Sequence, residues 1–179
     1  MLTQQQPTNT RSDRFVRALV RHWIWLVNGF LVLYAGLPWL SPLLRSFGWE
    51  RTGQAMFRMY AQFCHQLPER SFTFNGFPVC YCQRCTALYT SLLAMSVLYT
   101  VGRWHQTIGK HLLLLFTLPM IVDGGWHLLD DLLPSLALRA SNSEVGSLNF
   151  WLRMVTGTLF GVGVVLWAYP RIQREFDRV

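Results

Sequence analysis

The sequence predicts an all-α integral membrane protein: a four-helix bundle with an interfacial helix and a cysteine-rich hairpin between the first and second spans. Three observations carry this. Charged residues make up only 14% of the 179-residue chain, against about a quarter in an ordinary soluble domain. Hydrophobic residues reach 51% and aromatic residues 15%. The apolar residues also fall into four runs, each near the ~20 residues that a spanning helix needs.

In order, residues 1–20 form a polar, basic N-terminal tail. Met1–Thr10 offers no apolar face and is expected to lack fixed structure, and Arg11–Arg21, with Arg11, Arg14, Arg17 and Arg21, can start an amphipathic entry helix. The apolar run behind them continues past any plausible cleavage point, without a small-x-small site, so it reads as a retained anchor rather than a signal peptide. A single membrane domain covers 21–170, with spans at about 23–44, 85–102, 112–129 and 148–169. Pro38 and Pro42 are expected to break the first span late, and Pro170 to stop the last. Residues 45–63 mix Glu50, Arg51 and Arg58 with Trp49, Met56, Phe57, Met59, Tyr60 and Phe63, which suits a helix lying in the interface. Arg103–His111 is a short polar connection. Asp130–Ser147, with Pro134 and the Ser141-Asn142-Ser143 cluster, is a loop. Trp151 lies near one end of the fourth span and Trp167 and Tyr169 near the other, as an aromatic belt requires. Residues 171–179 form a charged C-terminal tail.

The net charge of +7 does not form a nucleic-acid stripe, because the arginines flank apolar runs where anionic headgroups lie. The lipid bilayer is therefore the expected partner, nucleic acid is not, and a homo-oligomer or larger membrane complex stays open. A small excess of Lys and Arg places the N-terminus in the cytoplasm and the cysteines on the other side.

All four cysteines lie between Cys64 and Cys85. Cys82-Gln83-Arg84-Cys85 can present two thiolates to one tetrahedral metal, with sulfurs about 2.3 Å from a shared centre. Cys64 and His65 can complete the set, although adjacent ligands on one ion are strained and Cys64 with Cys80 is another combination. Arg70 and Arg84 favour thiolates at this place. A second reading is thiol–disulfide exchange coupled to quinone, which four spans and two cysteine pairs on one face would suit. A third is a disulfide or zinc staple that only folds the loop.

Asp123 lies inside the third apolar run, where a carboxylate costs about 3 kcal/mol on insertion scales and needs a partner. Arg153, early in the fourth span, is the expected one. His127 shares the helical face of Asp123. These residues read either as a proton, ion or additional metal site, or as a structural Asp–Arg pair that sets helix register. Gly157-Thr158-Leu159-Phe160-Gly161 is a small-xxx-small motif that serves packing within one chain as well as dimerisation. His22, His105 and His111 flank spans and are read as interfacial.

The residues Cys64-His65, Pro68-Glu69-Arg70-Ser71-Phe72, Arg84-Cys85-Thr86 with Tyr89, Pro119-Met120, Asp123-Gly124, Arg139 with Ser141-Asn142, and Arg153 with Thr156-Gly157 and Phe160-Gly161 carry a resemblance. Over about residues 55–165 the chain resembles the domain of unknown function 2085 family of small prokaryotic membrane proteins. The resemblance implies a polytopic fold, with no established activity, in the cytoplasmic membrane of a prokaryote. It also groups Cys64, His65, Cys82, Cys85, Asp123, Arg139 and Arg153 as one constellation. Ala87 stands where that family has glycine, Cys80 is an addition in a lengthened hairpin, and His127 stands where a polar, non-ligating residue is expected. The stretch between Asn142 and Arg153 is longer than in that family. The expected function is a Cys/His transition-metal site at the membrane interface, holding zinc or iron through Cys64, His65, Cys82 and Cys85. Arg70, Arg84, Asp123, Arg139 and Arg153 are its expected support, and a non-catalytic subunit of a larger complex is the remaining alternative.

Overall fold

A computed structural model describes residues 10–133 and 144–178. Five helices and a two-stranded sheet follow in the order α1 (Arg11–Ser46), α2 (Glu50–Tyr60), β1 (Ser71–Phe74), β2 (Phe77–Cys82), α3 (Gln83–Gly102), α4 (Lys110–Leu132) and α5 (Leu148–Phe176), with a single 3-10 turn, Pro68–Arg70, before β1. Four stretches are long and apolar enough to cross a membrane: Arg11–Ser46, Gln83–Gly102, Lys110–Leu129 and Leu148–Phe176. The bundle is layered, with α5 between α4 and α3, α3 between α5 and α1, and α2 laid against α1. Phe30 and Leu33 of α1 and Leu114, Leu115, Leu118 and Ile121 of α4 face outward. Asn28, Ser96, Gln83, Arg153 and Thr156 are buried. This polar-in, apolar-out arrangement is the one a bilayer selects.

Both terminal helices extend beyond the expected boundaries. Thr10 caps α1, accepting from the Asp13 N–H at 3.2 Å while its own N–H donates to Asp13 Oδ2 at 3.0 Å. The basic stretch Arg11–Arg21 is therefore helical, as an entry helix into the first span would be, and it is continuous with that span. Pro38 and Pro42 do not break α1, nor does Pro170 stop α5, which runs to Phe176. Each proline removes one helical N–H and frees the carbonyl four residues earlier, and neighbours take up two of these acceptors. The Tyr60 and Tyr81 hydroxyls donate to Tyr34 O at 3.5 and 3.4 Å, and the Ile108 N–H donates to Leu166 O at 3.4 Å.

The glycines of α5 set the spacing of the bundle. A methyl at Gly157 would lie 2.5 Å from Arg84 O, and one at Gly161 would meet Ser91 Oγ and lie 2.7 Å from Leu88 O, all on α3. Gly163 bears on Phe116 of α4 in the same way, at 2.7 Å. The small-xxx-small motif therefore packs within this chain. Away from the cysteines, Trp23, Ile24, Tyr99, Val165 and Tyr169 join α1, α3 and α5 in one core, and Trp23 Nε1 donates to Gln173 Oε1 at 2.9 Å.

The sheet is a departure from an all-α fold. β1 and β2 pair antiparallel, with Phe74 opposite Phe77, Thr73 opposite Pro78 and Ser71 opposite Cys82, and a bulge between Ser71 and Thr73. Asn75 and Gly76 turn the chain with φ of +50° and +81°, the pair of left-handed residues that a two-residue hairpin turn demands. The hairpin packs on α1 and α2 and delivers Cys82 to the start of α3. The loop expected around Pro134 and the Ser141-Asn142-Ser143 cluster lies outside the described residues, as does Arg139.

Candidate metal centre

Three cysteines converge from separate pieces of chain. Cys64 follows the end of α2, Cys82 ends β2, and Cys85 lies in the first turn of α3. Gln66, in the left-handed region at φ +52°, fixes the bend after Cys64, because its Nε2 donates to Phe57 O at 2.7 Å and Cys80 O at 3.1 Å. That clamp holds the Cys64 segment against both α2 and β2. The sulfurs of Cys64, Cys82 and Cys85 then lie within 4.8 Å of one another, and all four cysteines are free thiols. Sulfurs sharing one tetrahedral ion at about 2.3 Å stand ~3.8 Å apart, so a common ligand sphere needs only a small inward closure.

The surroundings set Cys82 apart from Cys64 and Cys80. The Cys82 backbone N–H donates to Cys64 Sγ at 3.2 Å. Hydrogen bonds from the Cys64 and then the Cys85 thiol, with the N–H groups of Cys85 and Arg84 nearby, hold Cys82 well below the usual thiol range against the opposing effect of burial. Those N–H groups approach Cys82 without closing a capping hydrogen bond. Cys64 moves the other way, chiefly because its proton is held in the hydrogen bond to Cys82. Of the two, Cys82 is the thiol that gives up its proton more readily. Cys80 is fully buried and lies outside the trio. Burial is the main cause of its raised pKa.

Of the remaining expected residues, His65, Arg70, Arg84 and Arg153 line a cavity of about 170 Å³ beside Cys82, together with His127 and others. His65 is exposed and stands on this lining, outside the group of ligating atoms. Arg84 turns from the cysteine motif to pair with Asp123, which is 7% exposed. Its path crosses Gly124, where a methyl would lie 3.2 Å from Arg84 Nη1. Arg84 Nε is buried and has no hydrogen-bond partner among the described residues, a state that costs about 1–3 kcal/mol in an otherwise satisfied interior.

Arg153 does not pair with Asp123, contrary to the expectation from sequence. It is 2% exposed, and donates to Gln83 Oε1 at 3.3 Å and His127 Nε2 at 3.2 Å. The reason lies in the glycine contacts: Gly157 lets the backbone at Arg84 press onto α5, which carries the Arg84 side chain across to α4 and leaves Arg153 facing Gln83. A guanidinium can only donate, so His127 Nε2 accepts and the ring is the neutral tautomer protonated on Nδ1. That nitrogen is occupied and does not offer itself to a metal.

Sequence reading missed Gln66 and Gln83, and also the tyrosines beneath the trio. Tyr34 stands 5.9 Å from Tyr60, 5.9 Å from Tyr81 and 4.8 Å from Tyr89, ring centre to ring centre. These rings close off the buried side of Cys64 and Cys80. Asn75-Gly76 between aromatic residues was the available signal for the hairpin. Nothing comparable marks the two glutamines.

Taken together, fold and site define a helical membrane protein with a cysteine trio and a cluster of buried charge at one end of its bundle. The chain belongs to the family described as "Predicted membrane protein (DUF2085)", which matches residues 64–167, from the first cysteine of the trio to the last span. An uncharacterised protein of Methanocaldococcus jannaschii is 27% identical over 158 residues, covering 84% of this chain and 92% of that protein. No solved structure matches.

Proposed function

We propose that this protein holds a transition metal, zinc or iron, on Cys64, Cys82 and Cys85 at the surface of a prokaryotic cytoplasmic membrane. The observation that carries the reading is the convergence of three sulfurs within 4.8 Å from three different segments. Soft thiolates select such metals over magnesium or calcium, and the lowered Cys82 thiol supplies the deprotonated ligand that binding requires. Cys82 is the one member of the trio that lines the neighbouring cavity, and His65 on the same lining is the candidate for a fourth position. Three protein ligands and an accessible fourth place suit a reactive centre better than a closed structural one. With the N-terminus in the cytoplasm, the centre lies on the opposite side, where a bound metal also protects the thiols from oxidation.

Metal content of the purified protein is the test. About one zinc or iron per chain is expected, lost in Cys82→Ser and retained in Cys80→Ser. His65→Ala separates a four-ligand centre, which loses metal, from a three-ligand one, which keeps it. Absence of metal from protein purified without chelator, with Cys64 and Cys82 recovered as a disulfide, would refute the metal reading in favour of thiol–disulfide chemistry.

A further inference from the structure

We infer that the cavity beside Cys82 is a binding site for a small oxyanion, a phosphate, sulfate or carboxylate group, gripped by Arg70, Arg84 and Arg153. Three guanidinium groups line one cavity of about 170 Å³. That volume exceeds the ~30 Å³ share of one liquid water, and it accommodates a tetrahedral oxyanion or a short carboxylate. Buried cations are normally matched by charge. Arg84 has Asp123, but the hydrogen-bond partners of Arg153 among the described residues are the neutral Gln83 and His127, and Asp123 and Cys82 act on it only through space, against the like charges of Arg70 and Arg84. Arg153 is nonetheless 2% exposed, so its charge is held in the protein rather than in water.

The second observation is the Arg84 Nε, buried and without a partner among the described residues, on a side chain that lines the cavity. A forked donor with one arm on a carboxylate and another unused is suited to an incoming oxygen. The cavity also lies at the first turn of α3, whose N–H groups and dipole favour negative charge. His65 is exposed on the same lining and adds a polar group at the mouth. The site stands on the arginines and does not require that the sulfurs carry a metal. An anion held there would also lie next to Cys82, which the cavity and the trio share.

The test uses the full chain in zwitterionic lipid nanodiscs, titrated by calorimetry with inorganic phosphate, sulfate and acetate against chloride at constant ionic strength. Saturable binding of at least one oxyanion is expected, weakened tenfold or more in Arg70→Gln and Arg84→Gln. It should be unchanged in Arg178→Gln, a residue that lies just beyond the C-terminal end of α5. Arg70 is only half-buried, so its variant keeps the test decisive if Arg84→Gln fails to fold. Binding should survive a chelator; oxyanion binding that vanishes with the metal overturns the assignment to arginines. So does the absence of any saturable oxyanion effect in zwitterionic and in phosphatidylglycerol-containing nanodiscs alike, or equal affinity in the arginine variants. Replacing part of the lipid with phosphatidylglycerol identifies the source. Loss of free-anion binding there, with an Arg70-dependent lipid contact, makes the occupant a headgroup phosphate, and unchanged binding makes it a soluble anion.

Discussion

Arg84, two residues after Cys82, is ion-paired with Asp123 of α4, so the cysteine motif and the buried carboxylate form one connected assembly. Removing one member of a buried pair strands the other. Asp123→Asn is therefore expected to destabilise the protein. In a double-mutant cycle with Arg84→Gln, the coupling should be about 0.5–3 kcal/mol. Reversible unfolding in detergent measures it, and strictly additive losses would show that the pair contributes nothing.

The carbonyl of Tyr34 gives a second measurement. Pro38 leaves it without a helical donor, and the Tyr60 and Tyr81 hydroxyls approach it instead. Tyr60→Phe and Tyr81→Phe should each cost about 0.5–1.5 kcal/mol, the usual net value of one such bond. In a Pro38→Ala background the helix supplies its own N–H, and both costs should shrink. Equal costs in the two backgrounds would mean that the hydroxyls do not serve that carbonyl.

The hairpin turn should matter for the cysteines as well as for stability. Gly76 stands at φ +81°, so Gly76→Ala forces a side chain into the left-handed region, at a cost of about 1 kcal/mol. Because β2 delivers Cys82 to the trio, the same variant should weaken metal retention, read as faster loss to a chelator. Conversely, Asn75→Gly keeps the turn permissive and should leave retention unchanged.

The four spans were legible because a bilayer imposes one strong requirement, a long apolar run, that composition reveals directly. Helix ends were less legible. Pro38, Pro42 and Pro170 read as stops because a local rule cannot see the Tyr60 and Tyr81 hydroxyls or the Ile108 N–H that compensate from elsewhere. The cysteines could be grouped by spacing, but Gln66, which clamps the bend after Cys64, has no sequence mark. The expectation that Arg153 partners Asp123 missed Arg84 for a related reason. Charge and depth nominate both, and only the close approach at Gly157 decides between them.

That approach can be tested directly, and the test separates the two uses of a small-xxx-small motif. A motif that joins two chains predicts that a larger side chain dissociates a dimer and leaves each monomer folded. Here the glycines face α3 of their own chain, with Gly157 against Arg84 O and Gly161 against Leu88 O and Ser91 Oγ. Backbone cannot give way as a flexible side chain can, so Gly161→Val should destabilise the monomer by about 1–3 kcal/mol, the range for overpacking. Gly157→Ala should do so too, and should also shift Arg84, raising the chelator sensitivity of the trio more than Gly161→Val does at equal loss of stability. Ser91→Gly should recover only part of the loss in Gly161→Ala, since the Leu88 carbonyl remains 2.7 Å from the added methyl. Unfolding midpoints with sedimentation in detergent distinguish the cases: a lower midpoint at unchanged mass supports packing within the chain, whereas a halved mass at unchanged midpoint assigns the glycines to a dimer.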